Sequence, residues 1–114
     1  MGTLDLLQGT LDLLILKTLS WGPMHGYSVA RLIRERSDGA FLIEEGALYP
    51  ALHRLERQGW IESDWGLSEN NRKAKFYRLT AKGKRQLTVE TSKWEKLARA
   101  IAGILRPAEQ EGKS

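Results

Sequence analysis

The sequence contains no cysteine, so neither a disulfide framework nor a thiolate metal site is open to it. It has only two histidines, His25 and His53, so a zinc site would have to lean on carboxylates. Long apolar runs are missing as well. The most apolar stretch, LDLLQGTLDLLILKTL from Leu4 to Leu19, carries Asp5, Asp12 and Lys17, and its longest unbroken apolar run is four residues. Such a segment is too short and too charged to span a bilayer. No basic region precedes it, as a secretory signal would require. No membrane role is expected, and the cytoplasm is the expected compartment. Catalytic signatures are also lacking. There is no glycine-rich phosphate loop, no nucleophile with a base at useful spacing and no metal cluster. Ser37-Asp38 and Ser63-Asp64 read as turn and strand-end pairs. No cofactor and no enzymatic activity are expected.

What is present fits one domain with a single core: 114 residues, 41% apolar and 28% charged. The net charge of +4 and pI near 9.6 suit a nucleic-acid partner, and the distribution says more than the total. Between Asn70 and Leu87 stand seven cations (Arg72, Lys73, Lys75, Arg78, Lys82, Lys84 and Arg85) and no acid.

The stretch TLDLL occurs twice, at Thr3 to Leu7 and Thr10 to Leu14. That spacing is two helical turns, so Leu4, Leu7, Leu11 and Leu14 share one face. Leu6, Leu13, Leu16 and Leu19 widen it. The pattern predicts a helix from about Thr10 to Leu19, buried from more than one side. SWGPMHGY, Ser20 to Tyr27, reads as a turn, because Gly22-Pro23 ends the helix. A second helix follows over 26–36, with Val29, Ala30, Leu32 and Ile33 inward and Arg31, Arg34 and Arg36 in solvent. Gly39 closes it.

A third helix is predicted over 44–59. Leu48, Leu52 and Leu55 stand at i, i+4 and i+7, with Ala51 beside them, and Gly59 is the natural stop. The opposite face collects Gly46, Pro50, His53, Arg54 and Arg57, with Ala47 at its edge. Pro50 cannot donate to the carbonyl of Gly46, and its ring crowds that carbonyl. Glycine at 46 lets the backbone relax there. The first turn is expected to loosen while the leucines hold the body, leaving a thin start that can approach a groove floor closely.

Two strands are predicted next. WIESDW alternates, with Ile61 and Trp65 on a different face from Glu62 and Asp64. KFYRL puts Tyr77 and Leu79 on one side. Gly66 to Ala74 between them reads as a long, polar and basic hairpin tip. Thr80 then offers an N-cap for a last helix over 81–106, which Pro107 ends. Leu87, Trp94 and Ile101 recur every seven residues, with Leu97 and Ile104 as companions, in a coiled-coil-like seam that Glu90 interrupts.

Three helices followed by a basic-tipped hairpin is the order of a winged helix-turn-helix, and the fold class expected is mainly α with a small β-hairpin. The expected organisation is a winged helix-turn-helix DNA-binding domain over 1–80, a C-terminal dimerisation helix over 81–106 and a flexible tail over 107–114. In such readers the second helix of the motif lies in the major groove with its N-terminal end towards the bases. Here that is the helix over 44–59. Arg54 and His53 are the side chains expected to reach base edges, and Tyr49 a phosphate. Asn71, Arg72 and Lys73 form a tip that suits the minor groove.

These residues have a familiar look. HGY at 25–27, ALYPALHRLERQGW at 47–60 and FYRLTAKGKRQL at 76–87 together resemble the PadR-like transcriptional regulators. The resemblance spans about residues 4–106, in the family's order. It implies a winged helix-turn-helix, a homodimer made by the C-terminal helix, and binding to a near-palindromic double-stranded operator, usually as a repressor. In some members a small aromatic or cationic compound releases the DNA. The chain is similar to the short subgroup with one helix after the wing. By resemblance, Tyr49 and Pro50 match the recognition-helix pair, Arg72 and Lys73 the basic wing tip, and Tyr27 the tyrosine near the DNA backbone. The chain departs from the family at Glu44 and Glu45, where serine and proline are common. Two acids there repel phosphate.

The expected DNA-contacting set is therefore Tyr27, Gly46, Ala47, Tyr49, Pro50, His53, Arg54, Asn71, Arg72, Lys73 and Lys75. The expected dimer surface is Leu7, Leu11, Leu14, Leu87, Trp94, Leu97, Ile101, Ile104 and Leu105. Its seam is more apolar than the small domain could cover, so a twofold homodimer is expected. Trp94 could also stack on a flat effector, although interface packing is the plainer role. The alternative function is a winged-helix protein-binding module that never touches DNA. Such a module has no need of Arg54, Arg72, Lys73 and Lys75 together.

Overall fold

The protein is described here by a computed structural model covering residues 8–107. Its elements run α1 (Gln8–Leu19), β1 (Met24–His25), α2 (Gly26–Arg36), α3 (Glu45–Arg57), β2 (Ile61–Leu67), β3 (Lys73–Leu79) and α4 (Ala81–Leu105). The strands make one antiparallel sheet in the order β1-β3-β2. This is the winged helix-turn-helix architecture, mostly helical with a small sheet.

The core lies where α1, α2 and α3 meet the base of the hairpin. Ile15, Leu16 and Leu19 of α1, Val29 and Ile33 of α2, Leu48, Ala51, Leu52 and Leu55 of α3, and Ile61 and Tyr77 of the sheet are all buried. The apolar faces of α1, α2, α3 and the hairpin thus meet in one cluster, and α4 joins it only at its start, through Leu87. Thr18 is buried among them, and its hydroxyl is satisfied by donating to the Leu14 carbonyl at 2.8 Å. The width of the α1 leucine face has a direct cause: α1 packs against α2, α3, α4 and β3 of its own chain.

Three features correct the sequence reading. Met24–His25 lies in the segment read as a turn, yet it pairs with Tyr77 and Phe76 as a third strand. The hairpin tip is shorter than Gly66 to Ala74, since Gly66 pairs with Ala74 and Leu67 with Lys73. Only Ser68 to Arg72 remain outside the strands, and Asn71 takes φ of 61° to close the turn. Leu11 is only 8% exposed and belongs to the chain's own core; Leu14 and Leu87 are half-buried against it. Leu11 is thus spent inside the subunit. Leu7 lies outside the described residues.

Helix ends follow local chemistry. Thr80 caps α4 by accepting from the Gly83 amide at 3.0 Å, while its hydroxyl donates to the Gly59 carbonyl at 2.7 Å. Gly83 has no alternative, because a Cβ there would collide with the Trp60 carbonyl oxygen. At the end of α3, Gly59 takes φ of 78°, with the Trp60 amide on the Leu55 carbonyl at 3.1 Å and the Gly59 amide on Glu56 at 2.9 Å. That double bond pattern is a Schellman close. Beyond Leu87, α4 runs on with an apolar stripe in solvent: Trp94 is 51%, Leu97 58%, Ile101 47%, Ile104 81% and Leu105 75% exposed.

Candidate nucleic-acid interface

The site begins with the entry to α2. His25 is the N-cap, its Nδ1 accepting from the Ser28 amide at 3.3 Å. Its ring also stands edge-on to Phe76 of β3, at 5.6 Å between centroids. Gly26 follows, where a side chain would crowd its neighbours: a Cβ would stand 3.2 Å from the Tyr49 ring and 3.4 Å from Leu52. Tyr49 therefore lies across the start of α2, and Tyr27 emerges 67% exposed beside it. HGY is thus a cap, a seat for Tyr49 of α3, and an exposed phenol.

The start of α3 is exposed from Glu44 to Ala47, and Tyr49 and Pro50 are exposed after it. Glu44 caps the helix through its backbone alone, without a side-chain hydrogen bond. Its carbonyl accepts from both Ala47, at 3.0 Å, and Leu48, at 2.9 Å. The helix stays continuous through Pro50, so the expected loosening does not break it. The Gly46 carbonyl nevertheless loses the donor that any other residue at 50 would supply.

The wing meets this helix across a groove of about 600 Å³. Tyr27, Tyr49 and His53 line one side, and Trp65, Arg72, Lys73 and Lys75 the other. Alternation decides which wing residues face inward. Ile61, Ser63, Trp65 and Leu67 of β2 stand opposite Leu79, Tyr77, Lys75 and Lys73 of β3 on one face of the ladder. The buried end of that face is core, and its free end carries the groove's cations. The other face carries Glu62 and Asp64, both held by Arg78, at 2.7 and 2.5 Å. The hydrogen bond to Asp64, with Glu62 nearby, raises the Arg78 pKa further, so that ion cluster stays charged. Glu62 and Asp64 are thereby tied down on the side away from the groove. Burial, with Glu56 and Tyr49 close by, raises the Tyr77 pKa above 10.0 and keeps its phenol neutral at the foot of the groove.

Of the expected contact residues, Tyr27, Tyr49, His53, Arg72, Lys73 and Lys75 converge on this groove. Gly46, Ala47 and Pro50 are exposed on α3 outside its lining, and Asn71 is exposed at the tip. Arg54 is a correction. Its guanidinium donates to Asp12 of α1 at 2.5 Å, the side chain is 24% exposed, and its Nε is buried without a partner among the described residues. It fastens α3 to α1 and does not reach towards bases.

Sequence reasoning missed two groups. Trp65 was read only as a strand residue, although an aromatic opposite Lys75 beyond the core is a recognisable signal. His25 was read as part of a turn, although a polar residue before Gly26 is a usual helix start. Arg31 and Arg34 are exposed, as expected, and with Tyr27, Tyr49, Glu44 and Glu45 they line a second cleft of about 340 Å³. Glu44 and Glu45 at the start of α3 thus border the same cleft as Arg31 and Arg34 of α2, which lowers the net charge there. Among the described residues no cluster of side chains suits a metal ion, and no helix is long and apolar enough to cross a membrane.

The chain was compared with known proteins. The model of the transcriptional regulator PadR-like family matches residues 15–89. A transcriptional regulator of Mycobacterium tuberculosis is 36% identical over 80 residues, covering 70% of this chain and 71% of that protein. A solved transcriptional regulator from Clostridium thermocellum superposes with a TM-score of 0.79 at 31% identity, covering 87% of this chain and 96% of that one. A PadR family transcription regulator from hypervirulent Clostridium difficile gives 0.74 at 30% identity, covering 84% and 98%.

Proposed function

The chain belongs to the PadR-like family of transcriptional regulators, and from that premise we propose that it is a dimeric, sequence-specific DNA-binding repressor acting on a near-palindromic operator in the cytoplasm. The observation that carries this reading is the groove in which Tyr49 and His53 of α3 face Arg72, Lys73 and Lys75 of the wing. A helix start free of bulky side chains suits the major groove, and a cationic hairpin on the same side suits the adjacent backbone and minor groove. Gly46, Ala47, Tyr49 and Pro50 supply the close approach and His53 a base-edge contact. Tyr27, Asn71, Arg72, Lys73 and Lys75 hold phosphates and sugars.

One such unit reads a short site. The exposed stripe of Trp94, Leu97, Ile101, Ile104 and Leu105 on α4 supports a twofold partner, which sets two units on one face of the duplex. Trp94 also borders a shallow groove of about 230 Å³ with Gly9, Thr10, Leu13 and Leu97. Its first role in this reading is interface packing. A small aromatic or cationic effector stacking there would act by shifting the two reading units apart.

The test is selection of bound fragments from genomic DNA, followed by footprinting of the enriched sequence. The expected result is two protected half-sites about 10 base pairs apart, centre to centre, or a whole multiple of that. Failure to enrich any sequence, or a single isolated half-site, contradicts the proposal.

A further inference from the structure

The groove-facing side of the wing is not simply cationic. Trp65 is 65% and Leu67 66% exposed, next to each other on the face that begins in the core at Ile61. Neither helps to hold the hairpin to the domain, since the buried part of that face ends before them. Each stands opposite a lysine, Trp65 against Lys75 and Leu67 against Lys73, and the Lys73 ammonium lies 5.8 Å from the Trp65 ring centre. An isolated exposed apolar residue needs no explanation. Two adjacent ones opposite cations are different, and Trp65 lines the groove among Arg72, Lys73 and Lys75, while Leu67 borders the neighbouring cleft with Phe76 and Glu69. An indole left in water costs free energy, and cations alone would serve a purely electrostatic wing as well. Charge and shape together call for a partner whose surface alternates between anionic and apolar within a few ångströms. Duplex DNA offers that at the edge of the minor groove, where phosphates flank the sugar carbons.

We propose that Trp65, with Leu67 beside it, packs edge-on against the deoxyribose wall of the minor groove while Lys73 and Lys75 hold the phosphates on either side. The inference rests on the DNA-binding reading above and assigns an apolar contact within it. The acids of β2 do not interfere, because Arg78 holds Glu62 and Asp64 on the opposite face. Lys73 keeps its place over the indole and reaches phosphate from there, so the ring and the charge act as one unit.

The experiment uses full-length protein labelled with 5-fluorotryptophan and the operator duplex obtained by selection. The four tryptophans are Trp21, Trp60, Trp65 and Trp94, and the fluorine resonance of Trp65 is identified by its absence in Trp65→Phe. That resonance is expected to shift when the operator saturates the protein. Trp65→Ala is expected to weaken binding roughly tenfold through lost apolar burial. Its salt dependence should match the parent's, because an indole neutralises no phosphate. Trp65→Phe should keep most of the affinity. A Trp65 resonance unmoved in the saturated complex, or Trp65→Ala binding within about twofold of the parent at matched salt, overturns the proposal. If Trp65→Ala melts at a lower temperature, the fluorine shift in the parent protein decides alone. A parent that binds no duplex defeats the DNA reading and this inference together. A parent that binds, with both Trp65 results negative, defeats only this one.

Discussion

Asp12 and Arg54 stand 42 positions apart in the chain and 2.5 Å apart in the fold. Asp12 is only 13% exposed and Arg54 24%, so the pair sits well inside the protein surface. Removing one member leaves the other buried and unpaired, which is the costly case. Arg54→Ala and Asp12→Ala should each lower stability by roughly 2–4 kcal/mol, a large share for a domain of this size. The double variant should lose clearly less than the sum, since each change removes the same interaction. Chemical denaturation of the four proteins measures this, and additive losses would mean that the pair does not couple. Operator contacts by Arg54 would predict something else: Arg54→Lys, which can keep the ion pair, would still lose base recognition. Gly26 shows the same economy at a single atom, since the missing Cβ is what lets Tyr49 lie over the start of α2.

At the scale of elements, α3 is the informative one. Its proline removes one helical hydrogen bond near the N-terminus, and four small or acidic residues precede the tyrosine. Pro50→Ala restores the donor for the Gly46 carbonyl and should raise stability by about 1 kcal/mol or more. Operator affinity should fall in the same variant, because a stiffer, straighter first turn changes how the helix end meets the groove. Thermal melts and titrations on one preparation check both signs, and tighter operator binding by Pro50→Ala would refute the role given to that turn. The helices were legible because their apolar spacing is regular: Leu48, Leu52 and Leu55 define one face, and Thr80 and Gly59 mark boundaries by known backbone chemistry. β1 was not legible, because two residues carry no period and their pairing with Tyr77 and Phe76 is non-local. The tip was overestimated because Gly66 and Ala74 look like loop residues, although Gly66 is small so that Phe76 can lie 3.1 Å from where its Cβ would be. For the site, Tyr49, His53 and the wing cations could be read from helical and strand faces. Arg54 could not, because a helical wheel gives direction but not the distant acid that captures the side chain. Leu11 is a related case: periodicity marks a face as apolar without saying which subunit covers it.

The whole molecule measures 62 × 33 × 21 Å, and its length comes from α4 running past the domain. The stripe it carries there is exposed, whereas Leu87 and Gly83 nearer its start pack inward. Replacing Leu97 and Ile101 together by lysine should leave the winged helix folded, since both residues are exposed in the single chain. It should shift the protein to monomer in sedimentation, and weaken operator binding by at least roughly a hundredfold through loss of paired engagement. A dimer that survives this double change would place the interface elsewhere. The central claim concerns one surface on each of two subunits, where the wing and the start of α3 bear on DNA together. The most direct measurement is the salt dependence of operator affinity in the parent and in Arg72→Ala/Lys73→Ala. With about eight phosphate contacts per dimer, the logarithmic slope should be near −7; removing about four should bring it to about −3.5, with the fold intact. A parent slope near zero, or a slope that the double substitution leaves unchanged, would contradict the account.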